Sequence, residues 1–537
     1  MLTFQCTESR VCSRPALSDR LQRIRMAASW TLVFPILLLL IGQPVAADEG
    51  LANFRHVAGS DDQLLATAPV DSGAWGRVPT EKLSLANLAP GLLPYFNNGP
   101  VFGLPGTELG DFWDRTQLTG DWGGARAKLA RDGWFFDAYS TSTYQDVSSG
   151  GLKSGGTFVE NVQLSMNLDT GRAGFWPGGI VHFTAQGRYG AEPQNTFTVG
   201  SYVPQNTSLV LPGPLYSHEI YPSEYYLAQA FSKSFSVVIG KISDVFIPDQ
   251  TLFGNSYKYY FANFNLNKNP MTTNFYHPTA LAALGVWTPT PGFALAGGVL
   301  DTETGPNTLA EDAFNRINLY LTSVISYNIG GLPGQVSPAF NYSNKPKVDL
   351  ESPYAQLSPA QVPQAVGALV GSPLTEGLQF NYKPDSWFAI MNFSQYLYVL
   401  DNPESLVGKL KSGQPLRGVG IFGRVGYSPE ATNTVTRNAS LALFARGLVG
   451  SRSYDSFGVG TWYNEISRDL KNSLSLLTAG TVPANDEKGV EVFYDFAITP
   501  AIHFTPSFQH QWDPLLAQVA TGSRGVNVFL ARLNIAF

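Results

Sequence analysis

Nine polar side chains fall where a two-residue period would put them on the wet face of a strand: His182, Gln186, Arg188, Arg424, Arg446, Glu491, Asp495, Gln509 and Arg532. Their chemistry is that of binding. Planar guanidinium groups grip pairs of oxygen atoms, and amides and carboxylates complete hydrogen-bonded networks around them. No HExxH, GxSxG or Walker loop occurs, so no catalytic residue is expected. The six histidines (His56, His182, His218, His277, His503, His510) are scattered without metal-ligand spacing, so neither a metal nor a cofactor is expected. A literal GxGxxG at 418–423 is followed by more alternating strand rather than a helix, which removes the context that nucleotide binding needs. The carboxylate pairs Asp301/Glu303 and Glu311/Asp312 fall in expected loops, and a glycosidase would need two that face each other.

The elements that must carry these side chains are strands. In the last stretch Phe529, Ala531, Leu533, Ile535 and Phe537 share one parity, and Arg532 and Asn534 the other. Before it, Ile502, Phe504 and Phe508 alternate with His503, Thr505, Ser507, Gln509 and Gln511. Earlier still, Val490, Val492, Tyr494, Phe496 and Ile498 alternate with Glu491 and Asp495. Thr499-Pro500 makes a tight turn between two of these strands, whereas 513–523 is a longer connection. About ten alternating residues is what a tilted strand needs to cross the hydrocarbon layer. The same alternation recurs at 161–168, near Val181, at 419–427 and at 441–447. An arginine facing lipid at mid-depth costs roughly 2–4 kcal/mol. Arg188, Arg424, Arg446 and Arg532 therefore belong on a wet interior if the fold is a barrel, and on an outer wet face if it is a β-sandwich. Size favours the barrel, because about 400 undivided residues of strand exceed an ordinary sandwich domain.

The amino-terminus points to export. An apolar run at 30–41 follows Arg20, Arg23 and Arg25 and precedes Pro44-Val45-Ala46-Ala47, which reads as a secretory signal over 1–47, starting from Met1 or Met26. No later stretch reaches the roughly 18 apolar residues of a spanning helix. Both cysteines, Cys6 and Cys12, precede the cleavage point, so disulfides and cysteine-based metal sites are not expected. The whole chain carries −6 and the part after residue 47 carries −9, with no basic stripe, which disfavours nucleic acid. Residues 48–117, rich in Pro, Gly, Ala and Asn, read as a periplasmic extension or linker. Residues 121–131 read as one short helix capped by Asp121 and ended by Gly133. The region 118–537, helix included, is the expected barrel.

The blocks LTGDWGGARAKLARDGW (118–134), FVENVQLSMNLDTG, WPGGIVHFTAQGRYG, GIFGRVGYSP and the closing VFYDFAITPAIHFTPSFQHQWDP resemble the carbohydrate-selective porin family typified by OprB. The resemblance covers most of 118–537. It implies an all-β transmembrane antiparallel barrel of about 16 strands in the bacterial outer membrane, passing glucose and other small neutral sugars by passive diffusion. On that reading the nine polar residues line the pore, where a subset forms the constriction or each simply wets the wall. An aromatic last residue, Phe537, resembles the signal read by the outer-membrane assembly machinery. The 70-residue stretch ahead of the Thr119 block departs from the family's usual layout. Several connecting segments, notably 333–384, are long and divergent, and these are where selectivity loops are expected. A general porin, a secreted soluble β-protein that binds or cleaves polysaccharide, and a homo-oligomer of barrels stay open from sequence.

Overall fold

The computed structural model describes residues 110–537 apart from 191–197, 210–219, 233, 244–257, 276–278, 291, 306–307, 311–312, 371–374 and 402–415. The expected signal segment and most of the 48–117 extension lie outside the described residues.

The chain enters through a 3-10 turn, Trp122–Gly124, and the helix α1, Ala125–Arg131. The expected single helix over 121–131 is therefore shorter. Gly123 takes φ +67° and breaks it, and Asp121 reaches across the turn to accept the Ala127 N–H at 2.9 Å. Gly133 then turns the chain at φ +90°, where a Cβ would lie 2.6 Å from the Asp169 carbonyl oxygen.

Strands follow as β1 (Trp134–Gly150), β2 (Gly155–Asp169), β3 (Gly179–Tyr189), β4 (Ile220–Ala230), β5 (Phe235–Ser243), β6 (Thr279–Thr290), β7 (Phe293–Asp301), β8 (Ile317–Ile329) and β9 (Leu332–Ser343). After β9 the chain forms two small pairs, β10 (Lys347–Val348) with β13 (Tyr382–Lys383) and β11 (Tyr354–Gln356) with β12 (Gln379–Phe380). The remaining strands are β14 (Ser386–Val399), β15 (Gly418–Tyr427), β16 (Val435–Arg446), β17 (Ser456–Ile466), β18 (Glu487–Thr499), β19 (Ile502–Trp512) and β20 (Gly525–Ala536). The strands β1–β9 and β14–β20 form one closed antiparallel barrel of sixteen. β20 pairs with β1 from Tyr139↔Ala536 to Gly150↔Val526, so no edge is left in the membrane. Closure of all the long strands in one ring excludes the sandwich.

One end of the barrel carries mostly tight connections. Gly330–Gly331, both at positive φ, make the mirror-image turn that suits the twist of a hairpin, and Pro500–Ala501 makes another tight reversal. Both chain ends of the barrel lie here, with Leu118 N–H donating to Ala536 O at 2.7 Å. Longer connections, 190–219, 244–278, 302–316, 344–385, 467–486 and 513–524, stand at the other end. The exceptions are 151–154 and 428–434, short on the long side, and 400–417, long on the short side. The divergent segment begins later than expected, because 333–343 belongs to β9.

The outside of the wall is apolar. Leu164, Ile239, Leu319, Leu441, Val492 and Phe529 are exposed between two aromatic belts, one with Trp287, Phe496 and Phe504, the other with Tyr144, Phe158, Tyr463 and Trp512. Among the described residues no helix is long and apolar enough to span. Short helices instead sit in the connections: α2 (Phe264–Asn267), α3 (Val362–Leu369), α4 (Arg468–Leu477) and α5 (Leu515–Thr521).

Candidate functional site: the barrel interior

Inward parity carries the charges. Arg188, Arg424, Glu491, Gln509 and Asp495 are all at 1% exposure or less, and His182 and Arg532 are buried as well. Charges this deep persist only when paired or hydrogen-bonded. Many of their partners lie on two stretches of chain that fold into the barrel, 198–208 from the β3–β4 connection and 258–275 from the β5–β6 connection.

Five of the nine sequence-expected residues converge on these stretches. Glu491 takes the N–H groups of Ala262 and Asn263 on its two oxygens at 2.8 and 2.9 Å. Arg424 donates to the carbonyl oxygens of Leu266 and Asn267 at 2.8 and 2.9 Å. Arg532 donates to Tyr260 O at 2.6 Å, and Arg446 to the Tyr260 hydroxyl at 3.4 Å. Gln509 donates to Gln205 O and accepts from Asn263 Nδ2, both at 2.9 Å. One side chain thereby ties both stretches together. Glu487, which sequence reasoning passed over, accepts Tyr202 N–H at 2.7 Å and Leu515 N–H at 2.8 Å.

The other four stand on the wall. Asp495 accepts from Thr505 Oγ1 and contacts His503 Nδ1 at 2.7 Å, and that imidazole packs edge-on against Tyr259. His182 lies 2.6 Å from Asn167 Oδ1, contacts Thr184 Oγ1 and stacks on Tyr226. Arg188 donates to Asn161 Oδ1 at 3.0 Å, and Asn161 in turn donates to Ser208 O. Gln186 makes no hydrogen bond with either amide atom.

Local sequence explains how the inward stretch holds its shape. Asn263 caps α2 by accepting Asn265 N–H, and Asn269 caps the next 3-10 turn, Pro270–Asn274, by accepting Met271 N–H. Phe261 wedges between Phe493, at 4.7 Å between ring centres, and Phe422 at 5.7 Å. Gly458 makes the room, since a Cβ there would lie 2.6 Å from both Phe261 and Phe493. Lys258, fully buried, sits 3.5 Å above the Tyr139 ring. The signal that could have found this stretch is the run of alternate asparagines from Asn263 to Asn269, rich in caps and ended by Pro270, within a connection too long for a turn. The expectation that selectivity loops lie at 333–384 did not single it out.

A closed barrel with an apolar belted exterior and a charged, hydrogen-bonded interior defines an outer-membrane porin. The family model described as carbohydrate-selective porin, OprB family, matches residues 153–519, from the β1–β2 turn into α5. The chain belongs to that family, and is thus a carbohydrate porin of the bacterial outer membrane rather than an enzyme. The Pseudomonas putida OprB structure at high pH superposes with a TM-score of 0.63 at 16% identity, covering 80% of this chain and 100% of that one. Its low-pH structure gives 0.44 at 13% identity, over 79% and 99%. OmpT of Vibrio cholerae in its trimer form gives 0.41 at 10% identity, over 75% and 100%. Among curated proteins none matches the chain significantly.

Proposed function

We propose that the chain passes small neutral sugars of glucose size by facilitated diffusion, along the polar inner wall beside the inward stretches, without energy coupling. The observation that carries this reading is the mixed sign of the interior. Arg188, Arg424, Arg446, Arg532, Lys258 and Lys268 face Glu487, Glu491 and Asp495 within one lumen that also holds Tyr221, Tyr259 and Tyr260. A lumen of one sign would concentrate ions of the other, whereas mixed donors and acceptors with aromatic faces suit hydroxyl groups and the C–H face of a pyranose. The nine polar residues act here in two ways, five holding the constricting chain and four shaping the wall. Reconstituted in liposomes, the protein should admit glucose faster than a charged solute of equal size; equal rates would leave a general porin.

The described chain enters at the end with the tight connections, which supports reading 48–117 as an extension on the periplasmic side. Association of barrels finds support on the outer face of β1–β2. There the Glu160 carboxylate accepts from Ser140 and Ser142, one ladder step inside the outward pair Tyr144↔Phe158. A carboxylate turned outward at that depth fits a protein neighbour better than lipid. Cross-linking in native membranes from a cysteine placed at Ser142 should give a covalent dimer; monomer alone would refute this arrangement.

A further inference from the structure

The inner wall of β3 and β4 carries polar groups that find no hydrogen-bond partner among the described residues. Gln186 and Tyr221 are direct partners across the β3–β4 ladder, so their side chains leave the same face within about 5 Å of each other. Gln186 is 1% exposed and both its amide oxygen and its amide nitrogen lack a hydrogen bond. Tyr221 is 6% exposed and its hydroxyl lacks one too. Burying such groups unpaired is costly, and natural structures keep it where a ligand or water completes the set. Arg188 lies two residues along β3 on the same face, its guanidinium oriented by Asn161 Oδ1 at 3.0 Å.

Other unpaired groups line the barrel, but their settings differ. Asn438, which also lacks partners on both amide atoms, crowds against Asn269 and Met271 around Gly426. The Trp462 indole is packed in an apolar cluster with Leu266, Phe422 and Phe493. Among the described residues Gln186 and Tyr221 fall in no such cluster. Further along the wall towards the long connections, Gln145 and Thr157, direct partners across β1–β2, repeat the pattern, with Gln145 Oε1 and Thr157 Oγ1 unpaired.

We propose that Gln186, Tyr221 and Arg188 form a binding step for a neutral pyranose on the β3–β4 wall. The Gln186 amide offers a donor and an acceptor to neighbouring hydroxyls, as a vicinal diol requires. The Tyr221 hydroxyl adds a third contact. Arg188 supplies a fixed planar donor. The unpaired groups are an amide and a phenol, both neutral, which is why the ligand class is a polyol rather than an anion. This step rests on the reading of the chain as a sugar porin.

The test is glucose titration of single-channel current through the full-length protein in planar bilayers, with Tyr221→Phe, which removes one oxygen, and Gln186→Ala. Each variant should raise the half-saturating glucose concentration roughly three- to tenfold, the effect of one or two lost hydrogen bonds. Half-saturation within twofold of the parent in both variants would overturn the proposal. A parent channel that passes salt but neither binds nor admits glucose would instead overturn the sugar-porin reading itself. Retained heat-modifiable migration of each variant on gels shows that the barrel is folded.

Discussion

Arg424 was legible in the sequence as an arginine on the polar parity of a strand, and period-two alternation alone puts it inside. What it does there was not legible. Its two terminal nitrogens are spent on the carbonyl oxygens of Leu266 and Asn267, more than 150 residues earlier in the chain. It is thus a positioning residue for the inward stretch. Arg424→Ala should leave two buried carbonyls without donors, losing about 1.5–3 kcal/mol for each charge-assisted hydrogen bond. The stretch would then move off the β15 wall, so single-channel conductance should rise and discrimination between glucose and larger sugars should fall. Arg424→Lys should rescue this in part only, because a point charge does not reproduce the planar fork. Unchanged conductance in Arg424→Ala would show that the stretch is held without it.

At the scale of elements, α1 works as a clasp on the barrel seam. The buried Arg126 donates to Gly120 O at 3.2 Å, to Phe136 O at 2.7 Å on β1, and to Phe537 O at 3.0 Å beyond β20. The sequence placed a helix here, but not its bond to a residue 411 positions away. Arg126→Ala should lower the temperature at which the folded form converts on a heat-modifiability gel, with conductance unchanged at room temperature. The β9–β14 connection offers a pH-dependent test. Lys347 lies over the Phe275 ring, at the end of the inward stretch. Burial, and then Lys345, push its ammonium down from 10.5 to about 8, with Glu303 opposing. Between those values the opened segment binds more protons than the closed one, so raising the pH through that window favours the closed form. Hydrogen exchange around residues 346–350, corrected for intrinsic rates, should show less frequent opening at pH 9.5 than at pH 7.5, and Lys347→Met should abolish the difference.

For the whole molecule, closure of β20 onto β1 leaves no sheet edge, and the sixteen strands should unfold as one unit. Unboiled detergent samples should migrate apart from boiled ones, with one transition on heating; recovery in the soluble periplasmic fraction would contradict the barrel. The sequence by itself determined the strands, their wet and greasy faces, the tight and long ends, and the family, because each is written in local alternation, turn residues or contiguous motifs. It named His182, Gln186, Arg188, Arg424, Arg446, Glu491, Asp495, Gln509 and Arg532 as polar-face residues for the same reason. It did not show that five of the nine polar residues grip chain rather than face an open channel. Nor did it show that Gln186 and Tyr221 stand opposite each other unpaired. Those facts depend on which connection folds back into the lumen and on the register of the ladder. Both are decided by contacts between residues far apart in sequence, and only the closed barrel brings those residues together.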